Sequence, residues 1–463
     1  MAEGSFASLV APLSAIVGAA HVRIDDGARS AYGVDAMGKG SPADIVVFPA
    51  DTAQIAAIAS LCHRDRVPLV VRGAGTGYSG GAVPTRGGVV LSMERLNRIL
   101  EIDPDNLLVV VEPHVITGDL QRAVEAVGLF YPPDPASLET CSIGGNVAEC
   151  AGGPRAFKYG TTKRYVLALE AVLPTGEVIH TGSKAVKNVV GYDLTQLLVG
   201  SEGTLAIITR ITLRLIPLPP ATATALAMFG SIRGAVDAVS ALITARVVPV
   251  ALELIDRDSL EAVQRHTGER LVPDDVQAVL IVETDGSPEG AAEEMARTID
   301  ACRSAGASNV SRAATAAERD RIWGLRRAVS LALKATGLAR VNHDVVVPRG
   351  RVPQLFAVVA DLKRAYGLRL ASFGHAGDGN IHVNIMFDGA SADERARAVA
   401  AERTLFERVV ALEGSISGEH GIGFAKKAHI GLELSADEIA LMRRLKAAFD
   451  PHGILNPGKI FPD

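Results

Sequence analysis

Residues 72–81 read RGAGTGYSGG, and what flanks them decides the fold. Before the loop, Asp51 and Gln54 form an Asp-x-x-Gln cap, and Ile55, Ile58, Ala59 and Cys62 recur on one face, which predicts a helix ended by Pro68. Residues 69–71 then read as a short strand. Beyond Pro84 and Gly88, residues 89–93 read as another. A Gly-x-Gly such as Gly73 and Gly75 invites a Rossmann reading, but that motif needs a helix N-terminus directly after its loop to hold a pyrophosphate. The order here is strand, loop, strand. Glycine alone only provides turns. This loop also interleaves the hydroxyls of Thr76, Tyr78 and Ser79 with exposed backbone N–H groups, the composition of an anion-binding nest with pyrophosphate as its natural guest.

Two further glycine-rich stretches follow, SIGGNVAECAGG at 142–153 and GSEGT at 200–204, the latter feeding a β-branched run at 205–215. Three such loops in one half of the chain point to one extended ligand. Pro217, Pro219 and Pro220 mark a domain boundary. Beyond it, strands at 225–229 and 278–283 alternate with helices at 232–245 and 290–305, an α+β layout without a visible internal repeat.

At 463 residues the chain is long enough for two or three domains. With 48% hydrophobic and 21% charged residues and no apolar run near the ~18 that a membrane span needs, it reads as globular. The net charge of −5 with scattered lysines and arginines argues against a nucleic-acid partner and for a small-molecule ligand. Cys62, Cys141, Cys150 and Cys302 form no Cys-x-x-Cys pair and no cluster motif, so they read as reduced packing thiols. The apolar stretch 9–20 is interrupted by Pro12 and preceded by Glu3 rather than a cation. It reads as an amphipathic helix, not a secretory leader, and the expected location is cytoplasmic.

The most specific pattern is SFGHAGDGNIHVNIMF at 372–387. His375 ends a strand, residues 377–380 turn, and His382, Asn384 and Met386 alternate along the returning strand, so the two imidazoles can face each other across a hairpin. SISGEHGIGF at 415–424 adds Glu419 and His420 between glycines. A histidine on a hairpin usually satisfies buried polar groups. Two histidines and a carboxylate together, however, leave open positions on a divalent cation, which makes His375, His382 and Glu419 the metal candidates. On a helix predicted over 318–335, Arg326 falls off the apolar stripe of Ile322, Leu325, Val329 and Leu333, one turn before Ser330. It reads either as a carboxylate clamp or as part of a solvated basic face.

Together these stretches resemble the flavoproteins of the vanillyl-alcohol oxidase or PCMH type, in their D-2-hydroxyacid dehydrogenase branch with glycolate oxidase FAD subunits and D-lactate dehydrogenases. The resemblance is carried by RGAGTGYSGG, PDPAS at 133–137, IGGNVAECAGG at 143–153, VGSEGTLAIIT at 199–209, GHAGDGNIH at 374–382, GEHGIG at 418–423 and LNPGKIF at 455–461. It implies an α+β chain: a PCMH-type FAD-binding domain (1–218), a ferredoxin-like α+β substrate cap (219–412) and a C-terminal segment (413–463) returning to the flavin domain.

The resemblance further implies that FAD is held by Arg72, Gly73, Gly75, Thr76, Gly77, Ser79, Gly80, Pro133, Ser137, Gly144, Asn146, Glu202 and Asn456, with Lys459 near the ring edge. No histidine stands in the first loop where covalently flavinylated relatives commonly carry one, so the FAD is expected to be dissociable. The implied reaction removes a hydride from C2 of a 2-hydroxy acid to flavin N5. A divalent cation, zinc foremost with iron or manganese as alternatives, polarises the substrate, His420 acts as general base, and Arg326 and Asn384 contact the substrate.

Relatives selective for D-2-hydroxyglutarate tend to carry a lysine where this chain has Asn342, which favours a short monocarboxylate such as D-lactate or glycolate. A D-2-hydroxyglutarate dehydrogenase, a flavin-free metal hydrolase and a non-catalytic flavin-binding subunit are the competing readings. With no cluster or haem motif in the chain, electrons are expected to pass to a separate acceptor: an iron–sulfur subunit, cytochrome, quinone or electron-transfer flavoprotein. That implies oligomeric assembly and peripheral attachment at the inner membrane through partners.

Overall fold

The Asp51 carboxylate accepts the Gln54 N–H at 2.8 Å and starts the helix Thr52–Asp65, which buries Ile55, Ile58, Ala59 and Cys62. The chain passes through Arg66, in the left-handed conformation, into the strand Leu69–Arg72. That strand lies parallel to Val89–Ser92, and no helix intervenes, so the strand–loop–strand order holds. The computed structural model describes residues 6–270 and 272–462, and the chain divides into two units: residues 6–152, 161–218 and 419–462, and residues 153–160 and 219–418.

The first unit carries a four-stranded sheet ordered Val22–Arg23, Ile45–Val47, Val89–Ser92, Leu69–Arg72. Its core joins Ile45, Val47, Leu69, Val89 and Leu91 to Ile55 and Ile58, and to Leu13 and Val17 of the helix Val10–Val17. The N-terminal helix therefore buries one face, as its pattern predicts, but stops at Gly18 rather than Ala20. A second, antiparallel sheet is ordered Ile99–Asp103, Leu108–Val111, Ile207–Arg214, Val166–Val172, Val178–Gly182.

One of the three glycine-rich stretches is not a loop. Ser142 caps the helix Ile143–Glu149, which ends at Cys150 with φ 54°. Glycine in its first turn reflects close packing, since a Cβ on Gly144 would come within 2.5 Å of Pro113 Cβ.

The second unit is built on an antiparallel seven-stranded sheet. Its order is Ala307–Arg312, Ala221–Phe229, Ala278–Gly286, Ala251–Asp256, Arg369–His375, Asn380–Phe387, Ala339–Val346. The first four strands lie in the order fourth, first, third, second, the ferredoxin-like arrangement, with the extra helix Arg257–Thr267 between the second and third. The last three repeat the scheme: strand, helix Val352–Tyr366, strand, strand, helix Ala392–Ala411, then Ser415 bridging Val346 where a fourth strand would pair. The expectation of no internal repeat is thus corrected. The repeat is one of topology, and alternating apolar positions satisfy it without repeating residues. The halves join edge to edge through Glu253–Ile255 and Phe373–His375.

Candidate active site

The join between the halves fixes what faces what. Residues directly opposite in a ladder share a sheet face, and the register sets Glu253 opposite His375, Phe373 opposite His382, His382 opposite Asp344, and Asn384 opposite both Ala371 and Asn342. Glu253, His375, His382, Asp344, Asn384 and Asn342 therefore lie on one face. All but Asn342, which is half-buried, are buried. The imidazoles of His375 and His382 meet edge to face, 5.4 Å between ring centroids, on the diagonal of the hairpin.

Glu253, which sequence reasoning missed, is fully buried between the His375 imidazole and the Arg326 guanidinium. Its Oε1 lies 2.5 Å from His375 Nδ1, and its Oε2 accepts Arg326 Nε at 2.5 Å. Burial alone would raise its pKa, but His375 and Arg326 outweigh that and bring it down to about 2. The available signal was an acid inside the apolar run ALELI at 251–255.

Arg326 corrects the solvated-face reading of its position. It is only 7% exposed, so its helix face is not solvated, and its guanidinium sits 4.7 Å above the Phe373 ring. Beyond Nε, its remaining guanidinium N–H groups donate to no described residue.

Asp344 accepts Asn380 Nδ2 at 2.6 Å and the Gly418 N–H at 3.0 Å, and its Oδ1 lies 3.9 Å from His382 Nδ1. Gly418 is the last residue of this unit, and Glu419 and His420 follow it in the chain. Asn384 donates to the carbonyls of Ala371 and His382, while its Oδ1 is buried with no hydrogen-bond partner among the described residues. Asn342 Oδ1, on the opposite strand, is in the same state.

In the first unit, the loop after Arg72 is lined with unused donors. No backbone N–H from Gly73 to Ser79 donates to another described residue, and Ser79 Oγ is buried without a partner. Thr76 and Gly77 are half-buried, and a Cβ on Gly77 would meet nothing within 4 Å. This fits an anion such as a pyrophosphate. Glycine is required elsewhere in the loop: Gly80 has φ 80°, and a Cβ there would enter the Phe424 ring at 2.2 Å. Arg72 does not point outward. It donates to Val34 O, lies over the Tyr32 ring at 5.4 Å and sits against Gly75, bracing the loop from behind.

The remaining residues expected at the cofactor have partners within the protein. Pro133 O accepts Gln121 Nε2 at 2.8 Å, Ser137 O accepts the Thr140 and Cys141 N–H groups, the Gly144 N–H donates to Pro113 O, and Asn146 Nδ2 donates to Thr117 Oγ1 at 2.7 Å. Glu202 accepts the Ile422 and Gly423 N–H groups at 2.8 and 2.6 Å, and Asn456 donates to the carbonyls of Gly81 and Glu202. These contacts bind the returning segment to the glycine loops. His420 stacks on Tyr78 of the first loop, 5.6 Å between centroids, and a Cβ on Gly152 would come within 2.7 Å of Glu419 Oε2. Glu149, half-buried beside Glu202 with Oε2 inside the protein, is pushed well above the usual carboxylate range by burial of that carboxylate and by its neighbour. Burial lowers Lys459 to about 8 against the pull of Glu202 and Asp35.

Comparisons with known proteins agree with this architecture. Residues 43–182 match the FAD binding domain, and residues 218–460 match the C-terminal domain of FAD linked oxidases. The chain is 42% identical to the glycolate oxidase subunit GlcD of Bacillus subtilis over 94% of this chain and 92% of that one. It is 35% identical to a D-lactate dehydrogenase of Anaerostipes hadrus over 91% and 90%. Among solved structures, p-cresol methylhydroxylase superposes with a TM-score of 0.82 at 19% identity, covering 100% of this chain and 98% of that one, a likeness of fold. No described helix is long and apolar enough to cross a membrane. A nest of free N–H groups in one unit, a ferredoxin-like sheet in the other and relatives matched over nine-tenths of their length converge on one conclusion: the chain belongs to the FAD-linked oxidase family and is an FAD-linked oxidoreductase of PCMH-type fold.

Proposed function

We propose that the protein dehydrogenates a short D-2-hydroxy acid, of the D-lactate or glycolate type, to the 2-oxo acid, with FAD bound non-covalently and a divalent cation assisting. The observation that carries this reading is Arg326: a guanidinium held by a buried carboxylate on one side, with N–H donors left over in a buried setting, suits a substrate carboxylate. Asn384 Oδ1, buried and unpartnered on the same sheet face, supports a polar contact to the substrate hydroxyl.

The donor set also fits a cation. His375, with Nδ1 turned to Glu253, together with His382 and Glu419 supplies the histidine–histidine–carboxylate donor types that a divalent cation takes. The flavin, when bound, supplies a two-electron acceptor, and the cation supplies a Lewis acid. His420 takes the hydroxyl proton as general base, a role supported by its fixed stacking on Tyr78. The Gly73–Ser79 backbone and Ser79 Oγ hold the pyrophosphate.

Two neutral amides, Asn342 and Asn384, stand opposite each other where a second substrate carboxylate would need a cation, which favours a monocarboxylate over D-2-hydroxyglutarate. Relatives named as oxidase subunits support a separate electron acceptor in a partner chain, with any membrane attachment made through that partner.

An anaerobic screen of flavin bleaching across D- and L-2-hydroxy acids tests the reading. D-lactate or glycolate should bleach the flavin of the reconstituted protein, with D-2-hydroxyglutarate and L-enantiomers at least tenfold slower. A flavin that no 2-hydroxy acid bleaches overturns it.

A further inference from the structure

We infer that the strand Val178–Gly182 is a self-association edge: two copies of this chain pair it antiparallel across a two-fold axis, joining two five-stranded sheets into one. The strand ends the second sheet of the first unit. On one side it pairs with Val166–Val172; on the other, no backbone group of residues 178–182 is hydrogen-bonded to a described residue. An open row of N–H and C=O groups is a template for another strand, and proteins usually blunt it with charge, proline, a bulge or a cover.

The first unit uses those devices at its other edges. The opposite edge of the same sheet, Ile99–Asp103, breaks register between Ile99 and Glu101 and carries Glu101 and Asp103. The edge strand Leu69–Arg72 of the four-stranded sheet is covered by residues 454–456, which take the Leu69 N–H on Ile454 O and give the Asn456 N–H to Leu69 O. Val178–Gly182 has no acid, lysine, arginine or proline, and its register is unbroken.

A second copy fits this edge because the edge is complementary to itself. Pairing about His180 sets His180 against its own copy and Val178 against Gly182, with no like charges opposed along the ladder. Thr181, on one face, is held by Thr195 Oγ1 at 2.8 Å, whereas Val178 and His180, on the other, are exposed. Beyond Gly182, the loop of each copy runs past residues 175–178 of the other. That loop is apolar and open: Val189 and Tyr192 are each 96% exposed and Val190 91%. It also carries Lys184 and Lys187, while the turn it meets carries the exposed Glu177, so opposite charges come together at both ends of the ladder.

Sedimentation velocity of the FAD-loaded full chain should show a shift from monomer to dimer as concentration rises. His180→Lys opposes two ammonium groups on the axis and should raise the dimer dissociation constant at least about tenfold, with the flavin spectrum unchanged. Val190→Asp, in the exposed loop, should raise it as well. His180→Cys places two thiols on facing strand residues, whose Cα atoms lie about 4.5–5.5 Å apart, within reach of a disulfide. Mild oxidation should therefore give a covalent dimer on a non-reducing gel. Wild type, whose cysteines are buried or half-buried, should give none.

Wild-type protein that stays monomeric at every concentration overturns the inference and leaves the edge to a different chain. A dimer that His180→Lys does not weaken, or that His180→Cys does not cross-link, overturns it too, because the interface then lies elsewhere.

Discussion

Glu202 holds Gly423 by its backbone: the carboxylate Oε2 accepts the Gly423 N–H at 2.6 Å while Oε1 accepts that of Ile422, across more than two hundred residues of sequence. Glu202 itself adopts φ 53°, and its carbonyl takes Asn456 Nδ2. One buried acid thereby ties the third glycine loop to the returning segment. Glu202→Ala should lower unfolding free energy by about 2–4 kcal/mol, as expected when charge-assisted hydrogen bonds are lost and their donors stay buried. It should also weaken FAD retention. Urea denaturation of the FAD-loaded variant, indistinguishable from wild type, would refute the role.

The residues from Gly73 to Gly81 include no histidine, and Cys141 and Cys150, which flank the capped helix, are engaged with Thr117 and Thr161. Burial also raises the Cys141 thiol pKa, which keeps it an unreactive thiol. Acid precipitation should therefore release all of the yellow colour into the supernatant. Colour in the pellet contradicts a dissociable cofactor.

His420→Asn should slow anaerobic flavin reduction by about 10²- to 10⁴-fold, the range for loss of a general base, with zinc and FAD content unchanged. The stacking contact with Tyr78 is the reason to expect a rate effect rather than a folding effect, since asparagine keeps a flat polar group there. An unchanged rate moves the base elsewhere.

Asn342→Lys should extend the substrate range. The position lies opposite Asn384, with an unpartnered Oδ1, so a cation introduced there meets no competing carboxylate on the opposing strand. Bleaching by D-2-hydroxyglutarate should appear in the variant and bleaching by D-lactate should weaken. A variant with the wild-type preference argues against this edge of the sheet as the specificity determinant.

Acid should loosen the second unit through Glu253. Its folded pKa, about 2, lies below the ordinary glutamate value of 4.5, so its stabilising contribution is complete above pH 4.5 and is lost as pH falls toward 2. The size is about 3 kcal/mol for a shift of this order. Wild-type stability should drop more steeply than that of Glu253→Gln between pH 4.5 and 2, followed by denaturant midpoints at each pH. Parallel curves would show that the carboxylate is not the group responsible.

Local sequence determined the elements, because caps, apolar periods and turns act over a few residues. Asp51 and Gln54 started their helix, the helix around Leu325 and Val329 formed within two residues of its expected ends, and the absence of a helix after Gly81 excluded a Rossmann site. The histidine hairpin was legible for the same reason, since strand alternation and a Gly-Asp-Gly turn set both imidazoles on one face. The capped helix inside the second glycine stretch was missed because its glycines answer to Pro113, a neighbour distant in sequence.

Only the tertiary structure decided the environment of Arg326. A guanidinium off the apolar stripe reads as solvated until a strand some seventy residues earlier brings Glu253 beneath it. A charge is stable in a buried place only where a distant partner compensates its desolvation. The join that pairs Glu253 with His375 is likewise a matter of strand order, which depends on how whole sheet edges fit together and leaves no mark on the residues next to it.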